Sequence, residues 1–72
     1  MRKMMNKTLM KSYIIRYDGK QSVLADAMGI SLSSLNAKIN GNKAEFTQGE
    51  MDFIRKRYNL GLQEVSDIFF AG

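Results

Sequence analysis

Signals that end and begin helices recur along this chain, and they restrict it to short helices. Gly19, Gly29 and Gly41 each follow a stretch of helical periodicity, and glycine readily takes the left-handed conformation that ends a helix. Ser31 and Thr47 stand where capping residues begin new helices. A chain of 72 residues buries only about 60 % of the surface that its unfolded form exposes, so such helices must pack around one local core. The sequence predicts an all-α fold, a five-helix bundle that forms a single domain over residues 1–72.

Apolar residues at three- and four-residue spacings place the helices. They are predicted at about 7–17, 21–28, 32–39, 48–58 and 62–70. The predicted core draws on all of them and comprises Leu9, Ile14, Leu24, Ala25, Ile30, Leu35, Ile39, Phe46, Met51, Ile54, Val65 and Phe69.

The fourth helix has the most complete start signal. Thr47 with Glu50 three residues later predicts a capping box, and Phe46 with Met51 predicts the accompanying hydrophobic staple. The bases at 55–57 near its end form either a solvated face that complements the helix dipole or a phosphate-binding cluster.

The fifth helix carries an unusual aromatic pair close to the end of the given sequence. Leu62, Val65 and Ile68 recur at helical spacing before Phe69 and Phe70. This pair either closes the core or belongs to a partner-binding or dimer surface.

Composition excludes several kinds of chemistry. The chain has no cysteine and no histidine, so disulfides, zinc sites of the usual kinds and imidazole catalysis are not available to it. We expect a non-enzymatic protein without cofactors. No stretch has the 18 or so apolar residues of a membrane span, and the start of the chain lacks the apolar core of a secretory signal. We therefore expect a cytoplasmic protein without a membrane or small-molecule partner.

The net charge of +4 is concentrated near the beginning of the chain. Six bases precede residue 21, against the single carboxylate of Asp18. The imbalance favours an anionic partner near the N-terminus. The alternative for residues 1–6 is a flexible basic tail that is simply solvated.

Residues 20–41 have the pattern of two helices joined by a tight turn. Ala25 is small enough for the helices to cross closely, Gly29 turns the backbone, and Ile30 and Leu35 fill the space below. Together with Gln21, this spacing predicts a helix-turn-helix, in which the second helix is presented to a partner. An ordinary helical hairpin is the alternative.

The stretches QSVLADAMGISLSSL, KINGN, FTQGEM and IFF resemble the Cro/CI-type helix-turn-helix regulators of temperate phages, which have the lambda repressor-like DNA-binding fold. Within that family the chain is most similar to the small antirepressors, or modulators of repression, of phages of lactic-acid bacteria. The resemblance implies a regulator of the lysis or lysogeny decision in the host cytoplasm. Lys20 departs from the family pattern, in which threonine or serine usually caps this helix.

The outward face of the third helix decides what it could bind. A rotation of 100° per residue places Ser33, Ala37 and Asn40 at its centre, flanked by Ser34 and Asn36. Strong base discrimination uses Arg, Lys, Asn or Gln in bidentate contacts, so only the two asparagines could read bases, and Asn40 could instead serve the helix end.

Two functions follow from this face. As an antirepressor, the protein would cover the DNA-binding domain of its cognate CI-type repressor, with Asp26 and Glu45 facing that domain's basic groups. As a Cro-like dimer, it would bind operator DNA, with bases including Lys38 and Lys43 on phosphates. A helical adaptor of another system is a third possibility.

Leu32 is either a core-edge residue or an apolar partner contact. The candidate partner- or DNA-binding residues are Lys20, Gln21, Ser31, Leu32, Ser33, Ser34, Asn36, Ala37, Lys38, Asn40, Asn42 and Lys43.

Overall fold

All regular structure in the described part of the chain, residues 5–41 and 44–70 of a computed structural model, is helical. The helices are α1 (Lys7–Tyr17), α2 (Gln21–Met28), α3 (Leu32–Asn40), α4 (Gln48–Tyr58) and α5 (Leu62–Phe69). The all-α, five-helix prediction is therefore confirmed, with α3 one residue longer than expected and α5 one residue shorter.

Left-handed residues end three of the helices. Gly29 ends α2 at φ 74° and Gly41 ends α3 at φ 66°, as the sequence predicts. Asn59 ends α4 at φ 54° and is the non-glycine residue with positive φ in the described chain. Asparagine tolerates this conformation better than most residues, which explains a helix end that carries no glycine.

N-cap side chains hold the starts of α1, α3 and α4. Thr47 Oγ1 accepts a hydrogen bond from the Glu50 N–H at 3.1 Å, and Glu50 Oε1 accepts one from the Thr47 N–H at 2.9 Å, which confirms the predicted capping box. Asn6 caps α1 through the Leu9 N–H at 3.1 Å. Of the expected basic tail, residues 1–4 lie outside the described residues, whereas Met5 packs against the core.

One apolar core joins the helices. Its buried side chains are Met10, Ile14, Leu24, Ala25, Leu35, Ile39, Ile54, Tyr58, Leu60, Ile68 and Phe69. Of the other predicted core residues, Leu9, Ile30, Phe46, Met51 and Val65 are half-buried and pack against it. The predicted core did not include Met10, Tyr58, Leu60 or Ile68. No polar or charged residue belongs to the buried core of the described chain, so apolar burial holds the bundle.

Helix α5 packs against α1 and α4 and closes one end of the core. Helix α1 contacts α2, α3 and α5, while α2 contacts α3 and α4 contacts α5. The Phe69 ring meets the Phe46 ring edge to face, with centroids 5.4 Å apart, so Phe69 closes the core while Phe70 is 41 % exposed. Leu62 shares the helical spacing of the core residues but is 83 % exposed, because it lies in the first turn of α5 beyond the edge of the bundle.

None of the helices in residues 5–41 and 44–70 combines the length and apolar character needed to cross a bilayer.

Replacing Leu35 by alanine should lower the free energy of unfolding by about 2 to 5 kcal/mol, because its side chain is fully buried and the cavity would not be refilled. Urea unfolding followed by circular dichroism measures the change. The matched control is Leu62→Ala, which removes the same atoms from an exposed site and should leave stability within about 0.5 kcal/mol of wild type. Equal effects of the two substitutions would contradict the placement of Leu35.

Replacing Thr47 by alanine should lower stability by about 1 kcal/mol, since the Glu50 N–H loses its cap. Thr47→Ser keeps the hydroxyl and should retain most of the stability. The same unfolding measurement compares the three proteins, and a Thr47→Ala protein as stable as wild type would show that the cap contributes nothing.

Candidate interaction surface

The candidate surface is built on the corner between α2 and α3. Ala25 of α2 and Leu35 of α3 are both buried in the core, 1 % and 0 % exposed. Gly29 turns the chain in a left-handed conformation, and the Ile30 N–H donates to the Ala25 carbonyl at 3.0 Å. Glycine is required at this turn because of its backbone angle, since the space around its Cα is open. The corner is therefore fixed by backbone geometry and by the core beneath it.

The exposed side of α3 differs from the predicted one. Ser33 and Asn40 are exposed as expected, but Asn36 and Ala37 are half-buried. The predicted position of Ala37 at the centre of the outward face is thus only partly confirmed. Leu32 is 44 % exposed, which leaves an apolar side chain in solvent at the start of α3 and removes it from the core.

Ser31 and Ser34 are engaged with each other. Ser31 Oγ accepts from the Ser34 N–H at 3.1 Å and donates to Ser34 Oγ at 3.0 Å. Both residues are exposed, yet their hydroxyls already serve the start of α3. Their first role is therefore structural, and a partner would meet a pre-organised pair of hydroxyls.

Lys38 is held within the protein. Its ammonium lies 3.1 Å from Glu50 Oε1 and donates to the Glu45 carbonyl at 3.2 Å, and its side chain is only 16 % exposed. Burial of the Glu50 carboxyl favours a raised pKa, but the Thr47 N–H and the Lys38 ammonium outweigh it and hold the pKa below its usual value. This pair ties α3 to the start of α4 and neutralises the cation that α3 carries.

The remaining candidates lie around the corner. Lys20 is exposed at the N-cap of α2 and makes no capping bond, as expected for a residue without a cap acceptor, while Gln21 is half-buried beside it. Asn42 and Lys43 lie outside the described residues. The candidates that the structure describes at the start of α2 and along α3 are here called the α2–α3 surface: Lys20, Gln21, Ser31, Leu32, Ser33, Ser34, Asn36, Ala37, Lys38 and Asn40.

The basic cluster at 55–57 is mostly used for ion pairs. Arg57 pairs with Asp18 at 2.6 Å, and the Asp18 side chain, only 5 % exposed, also accepts a hydrogen bond from the Tyr58 hydroxyl. Arg55 lies 3.9 Å from Asp52. Only Lys56 of the three has no ion pair within the described chain. The cluster therefore has little unpaired positive charge with which to bind phosphate.

The Asp18 cluster locks the end of α1 to the end of α4. Burial of the carboxyl favours a raised pKa, but hydrogen bonds from Arg57 and Tyr58 and the Arg57 charge lower the pKa of Asp18 overall. Burial of the Tyr58 hydroxyl and its hydrogen bond to Asp18 raise the pKa of Tyr58. The sequence gives no sign of this cluster, because 39 residues separate Asp18 from Arg57.

A shallow apolar cleft of ≈ 260 Å³ separates α2 from α4. It is lined by Ala27, Met28, Thr47, Gly49, Glu50 and Phe53. Glu50, the titratable residue in its wall, is already bound to Thr47 and Lys38. Among residues 5–41 and 44–70, no group of three histidine, cysteine, aspartate or glutamate side chains could hold a metal ion.

No protein-family model, curated protein or solved structure matches this chain.

Replacing Asp18 by asparagine should destabilise the protein at neutral pH, and the loss should shrink on acidification. Because the folded-state pKa of Asp18 lies below its unfolded value, the carboxylate stabilises the fold above the unfolded pKa and ceases to do so as the pH falls through the folded pKa. Urea unfolding at several values between about pH 7 and pH 2 measures this difference. The matched control is Asp26→Asn, which removes an exposed carboxylate that has no ion pair in the described residues. If the stability difference between Asp18→Asn and wild type were the same at all pH values, the pKa of Asp18 would not be lowered in the folded protein.

Proposed function

We propose that this protein is an antirepressor of a phage lysis/lysogeny switch, which binds the DNA-binding domain of its cognate CI-type repressor through the α2–α3 surface. The short connection between α2 and α3, the left-handed Gly29 and the burial of Ala25 and Leu35 support the helix-turn-helix interpretation. The resemblance of the sequence to Cro/CI-type regulators supports the same class of protein.

The observation that carries the proposal is the lack of available positive charge on α3. Lys38 is the only base of this helix, and its ammonium is paired with Glu50 at 3.1 Å. The helices that read DNA surround their base contacts with phosphate contacts, for which Lys and Arg are the principal donors. An α3 without a free cation is poorly suited to this task and better suited to contact with protein.

The chemistry of the exposed residues fits a basic protein partner. Leu32 offers an apolar contact beside the small side chain of Ser33, and small residues permit close approach of another surface. Asp26 and Glu45 are exposed and have no ion pair in residues 5–41 and 44–70. A repressor domain that holds phosphates is basic, so these carboxylates complement it and would repel DNA.

The second candidate function is a Cro-like repressor that binds operator DNA directly. Asn40 favours it, because this exposed side chain at the end of α3 makes no hydrogen bond to the described chain and could contact adenine. Lys20 at the start of α2 could hold a phosphate.

Replacing Ser33 by arginine should abolish binding to the repressor domain, because a long charged side chain would stand in the middle of the contact and face a basic partner. The matched control is Ser66→Arg, an equal change at an exposed position of α5, which should bind like wild type. Isothermal titration calorimetry with the isolated DNA-binding domain of the cognate repressor measures both.

Operator DNA from the switch region provides the opposing test. The antirepressor proposal expects no sequence-specific binding by this protein alone. Specific nanomolar binding to the operator, unaffected by the repressor domain, would establish the Cro-like function instead. Equal repressor binding by the Ser33→Arg and Ser66→Arg proteins would remove the α2–α3 surface from the contact.

A further inference from the structure

Three of the cations that have no ion pair in the described chain lie on α1. Ion pairs with carboxylates engage Lys38, Arg55 and Arg57, which lie on α3 and α4. In contrast, Lys7, Lys11 and Arg16 are exposed, and none of them has a carboxylate within the 4.0 Å of an ion pair in the described chain. Among the described helices, α1 therefore carries the most cations without an ion pair.

These cations frame a continuous helical face. A rotation of 100° per residue puts Lys7 and Lys11 along one edge and Arg16 along the other. Between them lie two hydroxyl residues and one apolar residue, all exposed. This surface, here called the α1 outer face, consists of Lys7, Thr8, Lys11, Ser12, Ile15 and Arg16.

The carboxylates nearest in the fold do not neutralise this face. Asp18, just beyond the end of α1, is held by Arg57 and has a side chain only 5 % exposed. Glu64 of the neighbouring α5 accepts a hydrogen bond from Tyr13 at 3.2 Å, and Tyr13 lies on the opposite, half-buried side of α1. Asp67 of α5 has no ion pair with any described cation.

We infer that the α1 outer face binds the phosphate backbone of duplex DNA without reading its sequence. Lysine and arginine neutralise phosphates, and serine and threonine hydroxyls donate hydrogen bonds to phosphate oxygens. Lys7 and Lys11 are one turn apart, about 6 Å along the axis, so a rigid helix holds both at a spacing that neighbouring phosphates can meet. The mixture of hydroxyls and cations, held on a rigid element, favours DNA over other anions.

A membrane surface fits this face less well. Helices that bind a bilayer insert an apolar side beneath a basic one. The apolar side of α1 is occupied, because Met10 and Ile14 are fully buried in the core. Ile15 alone supplies large apolar surface on the α1 outer face.

The inference reaches beyond the proposed function, since the α1 outer face is separate from the α2–α3 surface. A protein with both surfaces could remain on DNA while it binds a repressor domain. Contact by α1 would then be sequence-independent, which is the normal behaviour of purely phosphate-directed binding.

The test uses fluorescence anisotropy of a labelled mixed-sequence duplex of about 20 base pairs, between about 50 and 200 mM salt. Each neutralised phosphate contributes about −0.9 to the slope of log K against log salt, so three cations give about −2.7 and an affinity loss of about 40-fold over this range. Lys11→Gln should reduce the loss to about 12-fold. Lys56→Gln removes an equal charge from the exposed face of α4 and should behave like wild type.

Further outcomes decide the inference. Ser33→Arg, placed on the other surface, should not weaken binding of the mixed-sequence duplex. No measurable binding by wild type, equal salt slopes for Lys11→Gln and Lys56→Gln, or tighter binding to polyglutamate or to phosphatidylglycerol vesicles than to the duplex would each overturn it. Circular dichroism melts of the variants should match wild type, because Lys11 and Lys56 are exposed and have no partner in the described chain.

Discussion

Burial of apolar side chains in one small core is the interaction on which the rest of this structure depends. The chain has no cysteine for a disulfide and no histidine for a metal site, and no polar or charged residue belongs to the buried core of the described chain. Each helix therefore stays in place only as long as its apolar residues reach the core. The turn at Gly29 matters for the same reason, because it lets Ala25 and Leu35 enter that core from two successive helices.

Local signals made most of the fold predictable, as the caps and periodicities show. Thr47 with Glu50 and the glycines at 29 and 41 act within a few residues, so the sequence places the helix ends closely. Periodicity alone was less reliable at helix ends. It could not show that Leu62 lies beyond the edge of the bundle, because this depends on how α5 is docked.

The candidate surface was predictable in position but not in electrostatics. The sequence identifies the exposed start of α3. Whether Lys38 forms an ion pair depends on how α3 and α4 are packed. Lys38 reaches Glu50 across 12 residues, and Arg57 reaches Asp18 across 39. Pairs at such separations have no sequence signature, yet they determine which cations remain available. A count of charges from the composition therefore overstates the number of cations on α3 and α4 that are available to an anion. It also does not show that the cations of α1 have no ion pair in the described chain.

The tyrosines give this protein a built-in optical probe of one particular junction. The chain has three tyrosines and no tryptophan. Tyr13 stacks on Tyr17 with centroids 6.1 Å apart, and Tyr17 stacks on Tyr58 at 5.0 Å. The three rings thus form a stack that runs from the middle of α1 to the end of α4. Near-ultraviolet circular dichroism and tyrosine emission consequently report the docking of these two helices, while events on α3 are spectroscopically silent unless they propagate to that junction.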